Sequence, residues 1–281
     1  MSFKNYYKSC GLGLVLLFSA LCAAARDGVA VVVDVVSYDK ARAELIDYVK
    51  ALEQKQGYKV YVVVDRWQVP DSIRAKLMAL HTQKHDAIVG AVLVGDIPVP
   101  MVRDAQYLTS AFKMDQTVNR RESSVPSDRF YDDFSLRFRP LGKDDTLPYY
   151  YYSLTAEGAQ KLSPDIFSGR IRPTDAGGTS RYDKLRAYLR KATAAKLNPE
   201  RFRSVFVFTG DGSISESMPA HIDEFRGLME HFPQLAATPE AFSYMNYDDA
   251  TPIRFRMMNE MMRPDLSLAM LHHHGDWDTQ Y

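Results

Sequence analysis

From residue 28 onward, short unbroken apolar runs alternate with stretches whose apolar positions recur every three to four residues. "GVAVVVDVV" (28 to 36) is β-branched throughout, the composition of a strand buried on both faces. "YDKARAELIDYVKALEQKQG" (38 to 57) places Ala41, Leu45, Val49 and Leu52 at helical spacing, and Gly57 is a natural stop. The unit repeats with "YKVYVVV" (58 to 64), a helix over about 71 to 84 opened by Asp71 and Ser72, and "DAIVGAVLVGD" (86 to 96). Apolar strands separated by amphipathic helices predict an α/β fold: a mostly parallel sheet with helices on both faces.

The rhythm breaks between Ile97 and about Ser163. Pro98, Pro100, Pro126, Pro140 and Pro148 interrupt it, together with acidic pairs and the tyrosine block at 149 to 152. This stretch reads as a long insertion (97–163), partly hairpin, over one edge of the sheet. Regularity returns with a short strand in "DIFSGRIRP" (165 to 173), a Gly-rich joint "DAGGTS" (175 to 180) and the helix "RYDKLRAYLRKATAAK" (181 to 196). A second series follows: strand "SVFVFTGD" (204 to 211), a helix from about Met218 to His231, strand "AFSYMNY" (241 to 247), helix "PIRFRMMNEMM" (252 to 262) and the run "LSLAMLHHHG" (266 to 275). The joint near 177 is the best internal boundary, giving one region over 26–176 and another over 177–281.

Charge narrows the function. Thirty-five basic and thirty-five acidic side chains cancel, so no overall field would draw the protein to nucleic acid or to an anionic membrane. Residues 1–25 read as an export signal: Lys4 and Lys8 precede "GLGLVLLFSALC", and "CAAAR" offers small residues for cleavage. The run is too short for a stable membrane span. The expected location is therefore secreted, periplasmic or cell-surface, and Cys22 loosely fits the lipidated cysteine of a bacterial lipoprotein. Cys10 and Cys22 are the two cysteines of the sequence, so the chain after the leader contains neither a disulfide nor a thiol.

Ligands of open parallel sheets collect beyond the carboxyl ends of the strands. Asp96, Asp211 and the histidines His272, His273 and His274 all fall there. Three imidazoles and a nearby carboxylate suit a transition metal, but alternate residues of a strand point to opposite faces, so His272 and His274 share a direction that His273 does not. A histidine can instead serve as a general base, or simply close a buried strand. Asp96 and Asp211 also have a plain reading, since an Asp after a strand commonly caps the next helix. "TGDGS" lacks the P-loop and GxGxxG patterns. Ser213, Ser215 and Ser217 occupy no GxSxG elbow, and the tyrosine block reads as packing or peripheral surface.

The ordered set "AVLVGDIPVP" (91 to 100), "PSDRFYDDF" (126 to 134), "DIFSGRIRPTDAGG" (165 to 178), "FVFTGDGS" (206 to 213) and an apolar strand ending in His274-Gly275 resembles the gingipain-type cysteine peptidases, exported bacterial enzymes distantly related to caspases. The resemblance implies a three-layer caspase-like fold, Rossmann-like in its sheets, with two side-by-side subdomains and the catalytic machinery in the second. It implies a Cys–His dyad in which His274 assists a thiolate, the Gly275 N–H helps hold the oxyanion and Asp211 orients the histidine. Glu216 falls where these enzymes carry an acidic group for basic substrates, although Met218 shares that region and preference for Arg or Lys is not established.

In that family the cysteine lies on the next parallel strand, a few tens of residues beyond the His-Gly motif, whereas this sequence ends at Tyr281. The expectation is an inactive N-terminal fragment with an incomplete second subdomain, followed by the nucleophile and by sorting or other domains. The partner would be a protein or peptide substrate. No cofactor is implied; structural calcium is compatible with the resemblance, yet no calcium-loop pattern is legible. Two other classes compete with a peptidase: an exported caspase-fold protein used for binding or assembly, and a metal-dependent hydrolase using His272, His274 and an aspartate.

Overall fold

The structure is a computed structural model that describes residues 25–105, 115–198, 203–209, 230, 242–246 and 253–272. It is mixed α/β with mostly parallel strand pairing, and it divides into two compact units, Met1–Asn198 and Pro199–Tyr281.

The first unit is organised by β1 (Gly28–Asp34), every residue of which is buried. Strand alternation sends its side chains to two different cores. Ala30 and Val32 pack with Ile73 and Leu77 of α3 (Pro70–His81) and with Leu93 of β3 (Ile88–Val94), whereas Val31 and Val33 pack with Leu45 and Leu52 of α2 (Arg42–Lys55). Leu185 and Leu189 of α5 (Arg181–Leu197) complete the second core. Helices therefore cover both faces of a four-stranded parallel sheet in the order β2-β1-β3-β8, with β2 at Lys59–Asp65 and β8 at Phe167–Ile171. The Gly-rich joint near 177 lies inside this unit, because the helix after it docks on α2.

Three local departures have clear causes. The first strand stops at Asp34 rather than running to residue 36, because the Asp34 carboxylate accepts the N–H groups of Val36 and Ser37, both at 3.0 Å, and opens a short helix α1 (Val35–Lys40). The helix expected over 38 to 57 is consequently two helices, broken at Ala41, whose φ of −130° is not helical. Pro70, rather than Asp71 or Ser72, opens α3: its fixed φ suits the first helical position, where a missing N–H costs nothing.

The insertion builds its own four-stranded sheet, order β5-β4-β7-β6, from β4 (Val99–Arg103), β5 (Val125–Pro126), β6 (Phe138–Lys143) and β7 (Tyr149–Leu154), with a short helix α4 (Arg129–Asp132) after β5. The tyrosine block is β7, and alternation again divides it. Tyr152 enters the core beside Phe130, with ring centroids 4.4 Å apart, while Tyr151 turns the other way and donates its hydroxyl to Asp144 at 2.9 Å. The Arg74 guanidinium of α3 lies 5.3 to 5.6 Å from the rings of Phe130, Phe134 and Phe138 and donates to the carbonyls of Phe130 and Leu136. One cation thus ties the helix layer to the insertion, and burial lowers its pKa from the ordinary arginine value.

The second unit centres on β9 (Val205–Thr209), flanked in parallel by β10 (Phe242–Asn246) and β11 (Leu268–His272). Phe206 and Phe208 are buried against Met257 of α6 (Ile253–Met261) and against Leu266, Ala269 and Leu271. In both units the first strand is central, with the next two parallel strands on either side of it.

Candidate functional site

Chemistry in a parallel sheet is placed at the carboxyl ends of the strands. In the first unit the junction between β1 and β3 is filled by the protein itself. Asp34 caps α1 with one oxygen and with the other accepts the Asp96 N–H at 2.7 Å. Gly95, at φ +82°, lets these groups meet: a β-carbon there would stand 2.0 Å from Asp34 Oδ2 and 2.1 Å from Ser37 Oγ. The Asp96 side chain caps no helix. It accepts two hydrogen bonds from Arg181, at 3.0 and 2.5 Å, and this pair closes the junction to a void of about 10 Å³, room for about one water at most.

Three of the segments that carried the resemblance meet in this unit. Arg170 of β8 donates from Nε and Nη2 to the two oxygens of Asp128, at 3.0 and 2.7 Å, and from Nη1 to the Ile97 carbonyl at 2.7 Å. Tyr131 donates its hydroxyl to the Pro98 carbonyl at 2.8 Å. These bonds fix the turn after β3, the loop before α4 and the end of β8 to one another.

Beside them Asp132 is fully buried. One oxygen accepts from the Ser168 hydroxyl at 2.5 Å and pairs with Arg129, while Oδ1 has no partner. Burial pushes this carboxyl up to about 6, against the opposing pull of Ser168 and Arg129.

In the second unit β9 and β11 pair in parallel with Thr209 opposite His272. The described ends of the two strands therefore stand at adjacent positions on the carboxyl edge. Asp211 follows Thr209 by two residues and His274 follows His272 by two. Asp211, Glu216, His273, His274 and Gly275 lie outside the described residues, as do Cys10 and Cys22 and, apart from the helical Glu230, the helix expected from Met218 to His231. His272 is described as the last residue of β11.

Among the described residues no group of three or more His, Cys, Asp or Glu side chains is placed to hold a metal ion, and no helix is long and apolar enough to cross a membrane. Sequence reasoning passed over Asp34, Asp128, Asp132, Arg170 and Arg172. A signal was present for the arginines: "GRIRP" spaces them by two, the spacing of one strand face, although the strand ends at Ile171 and Arg172 lies just past it. The burial of Asp132 had no such signal, because the first acid of "YDDF" looks the same in sequence whether it caps a turn or enters a core. Compared with family models, curated proteins and solved structures, the chain matches none.

Proposed function

We propose that this chain supplies the histidine side of an exported, gingipain-type cysteine endopeptidase with two caspase-like subdomains side by side. The observation that carries the proposal is the register of β9 with β11, Thr209 opposite His272. Neighbouring parallel strands run about 4.8 Å apart, and Asp211 and His274 each follow those two ends by two residues in sequence. A carboxylate and an imidazole so delivered suit an oriented base. The closed junction of the first unit also supports a division of labour in which the second unit carries the catalysis.

In the proposed reaction His274 takes the thiol proton, and the thiolate attacks the scissile carbonyl carbon. The carbonyl π electrons move to oxygen, where the Gly275 N–H donates to the resulting anion. The C–N bond then breaks as His274 returns the proton to the leaving amine. Water attacks the thioester, again losing its proton to His274, and releases the acid and the free thiol. Asp211 accepts from the imidazole and keeps it in the productive tautomer. Glu216 would meet a basic substrate side chain.

Cys10 and Cys22 belong to the leader-like segment, so the proposal requires a thiol supplied outside these 281 residues. Reading the coding sequence beyond Tyr281 tests it. An apolar strand ending in cysteine, together with amide hydrolysis by the encoded protein that iodoacetamide abolishes, is the expected result. A reading frame without any further cysteine would overturn the peptidase reading and favour a binding or assembly protein of the same architecture.

A further inference from the structure

The first unit carries an open cleft that neither the filled β1–β3 junction nor the proposed catalysis uses. It measures about 390 Å³, within the usual range for a small-molecule site. Trp67, just past the end of β2, and Tyr150 of β7 form part of its wall, and Lys143 of β6 and Arg172, just past β8, supply its charge. It therefore opens at the carboxyl edge of the parallel sheet, where ligands of such sheets bind.

Its electrostatics are unbalanced. Asp96 is the acidic side chain on its wall, and Arg181 already engages both of its oxygens. Arg172 pairs loosely with Asp96, Nε lying 3.6 Å from the carboxylate, beyond hydrogen-bond range, and its guanidinium is part-exposed; two arginines and Lys143 thus face one carboxylate. Lys143 holds its ammonium 5.5 Å from the Tyr150 ring centroid, and among the described residues no carboxylate lies within ion-pair distance of it. The aromatic wall is held in place: Trp67 Nε1 donates to the Val33 carbonyl at 2.9 Å, which fixes the indole before any ligand arrives. Arg172 also borders a second cleft of about 390 Å³ beside Val99 and Met101, so its head is approachable from two sides.

We infer that this cleft binds a small organic anion, a carboxylate or phosphate ester on a flat apolar body. The anionic head would sit between Lys143 and Arg172 and the body against Trp67 and Tyr150. The site is independent of the peptidase reading, since it uses no residue of the second unit.

The sequence contains two tryptophans, Trp67 and Trp277, so Trp277→Phe leaves a chain whose indole emission reports on the cleft alone. Benzoate and phenyl phosphate, titrated into the full chain carrying that substitution, should change the emission saturably, while the uncharged isostere benzamide should not. Arg172→Gln and Lys143→Gln, both at exposed heads, should each weaken the response about tenfold or more, as expected for loss of a charged hydrogen bond. A response to benzoate alone marks a carboxylate site, and a response to phenyl phosphate alone a phosphate-ester site. An equal response to benzamide, unchanged affinity in both variants, or no saturable response to either anion would overturn the inference.

Discussion

Thr209 and His272 stand opposite one another at the ends of two neighbouring parallel strands, β9 and β11. The pairing requires that the first strand of the second unit be its centre, with the strand that follows it in sequence on the far side. It sets Thr209 and His272 side by side at the carboxyl edge of that sheet.

For the complete reading frame, His274→Ala should lower kcat/KM for a peptide amide by about 10²–10⁴-fold, the usual contribution of general acid–base catalysis. Asp211→Asn should cost less, and its loss should fall mainly on kcat, because an orienting carboxylate acts through the histidine. Steady-state kinetics on the two variants check the order. Near-normal turnover by His274→Ala would place the base elsewhere.

Gly95→Ala should destabilise the first unit by about 2–4 kcal/mol. The strain of a left-handed alanine adds to the loss of the Asp34 cap, since the new methyl would occupy the place of the Asp34 carboxylate. Gly57 provides the comparison: it has φ +76°, yet a β-carbon there meets nothing within 4 Å. Gly57→Ala should therefore cost only the backbone strain, roughly 1–2 kcal/mol. Urea midpoints for the two variants measure the difference, and equal losses would mean that the contact with Asp34 carries no weight.

Tyr152→Phe removes a hydroxyl that donates to Asp71 Oδ2 at 2.6 Å while keeping the ring in its core beside Phe130. Hydrogen bonds to charged groups contribute about 1.5–3 kcal/mol, so a loss of that size is expected in denaturant titration with an unchanged m-value. A loss below about 0.5 kcal/mol would show that water replaces the tyrosine at Asp71 without penalty.

The Asp132 carboxyl gives a pH-dependent prediction whose sign is set by burial, which outweighs its pairing with Arg129. Its folded value, about 6, lies above the ordinary 3.8. Between those values the folded chain holds the proton more tightly than the unfolded chain does, so this group's contribution to stability falls as pH rises from about 4 to about 6. Asp132→Asn, which cannot ionise, should escape that loss. The difference in Tm between variant and parent should move in the variant's favour from pH 4 to pH 7, and a difference constant over that range would refute the raised value.

Much of the architecture was legible locally. The all-buried β1, the helical spacing of Leu45, Val49 and Leu52, and the stop at Gly57 follow from side-chain period and backbone preference, which act between residues close in sequence. Asp211, Glu216, His274 and Gly275, where the sequence places the chemistry, fall outside the described residues. The role of Asp96 was not legible. Its sequence context suits a cap, but the cap is Asp34, and Asp96 instead meets Arg181, 85 positions away.

The sequence by itself determined the alternation of strands and helices and the neutral charge balance. Tertiary structure decided which strands became neighbours, which acid entered the core and which arginines faced a cleft. The physical reason is range. Period and propensity are local energies, whereas the register of Thr209 with His272 and the bond from Tyr152 to Asp71, 81 positions apart, exist only once remote segments have exchanged water for each other.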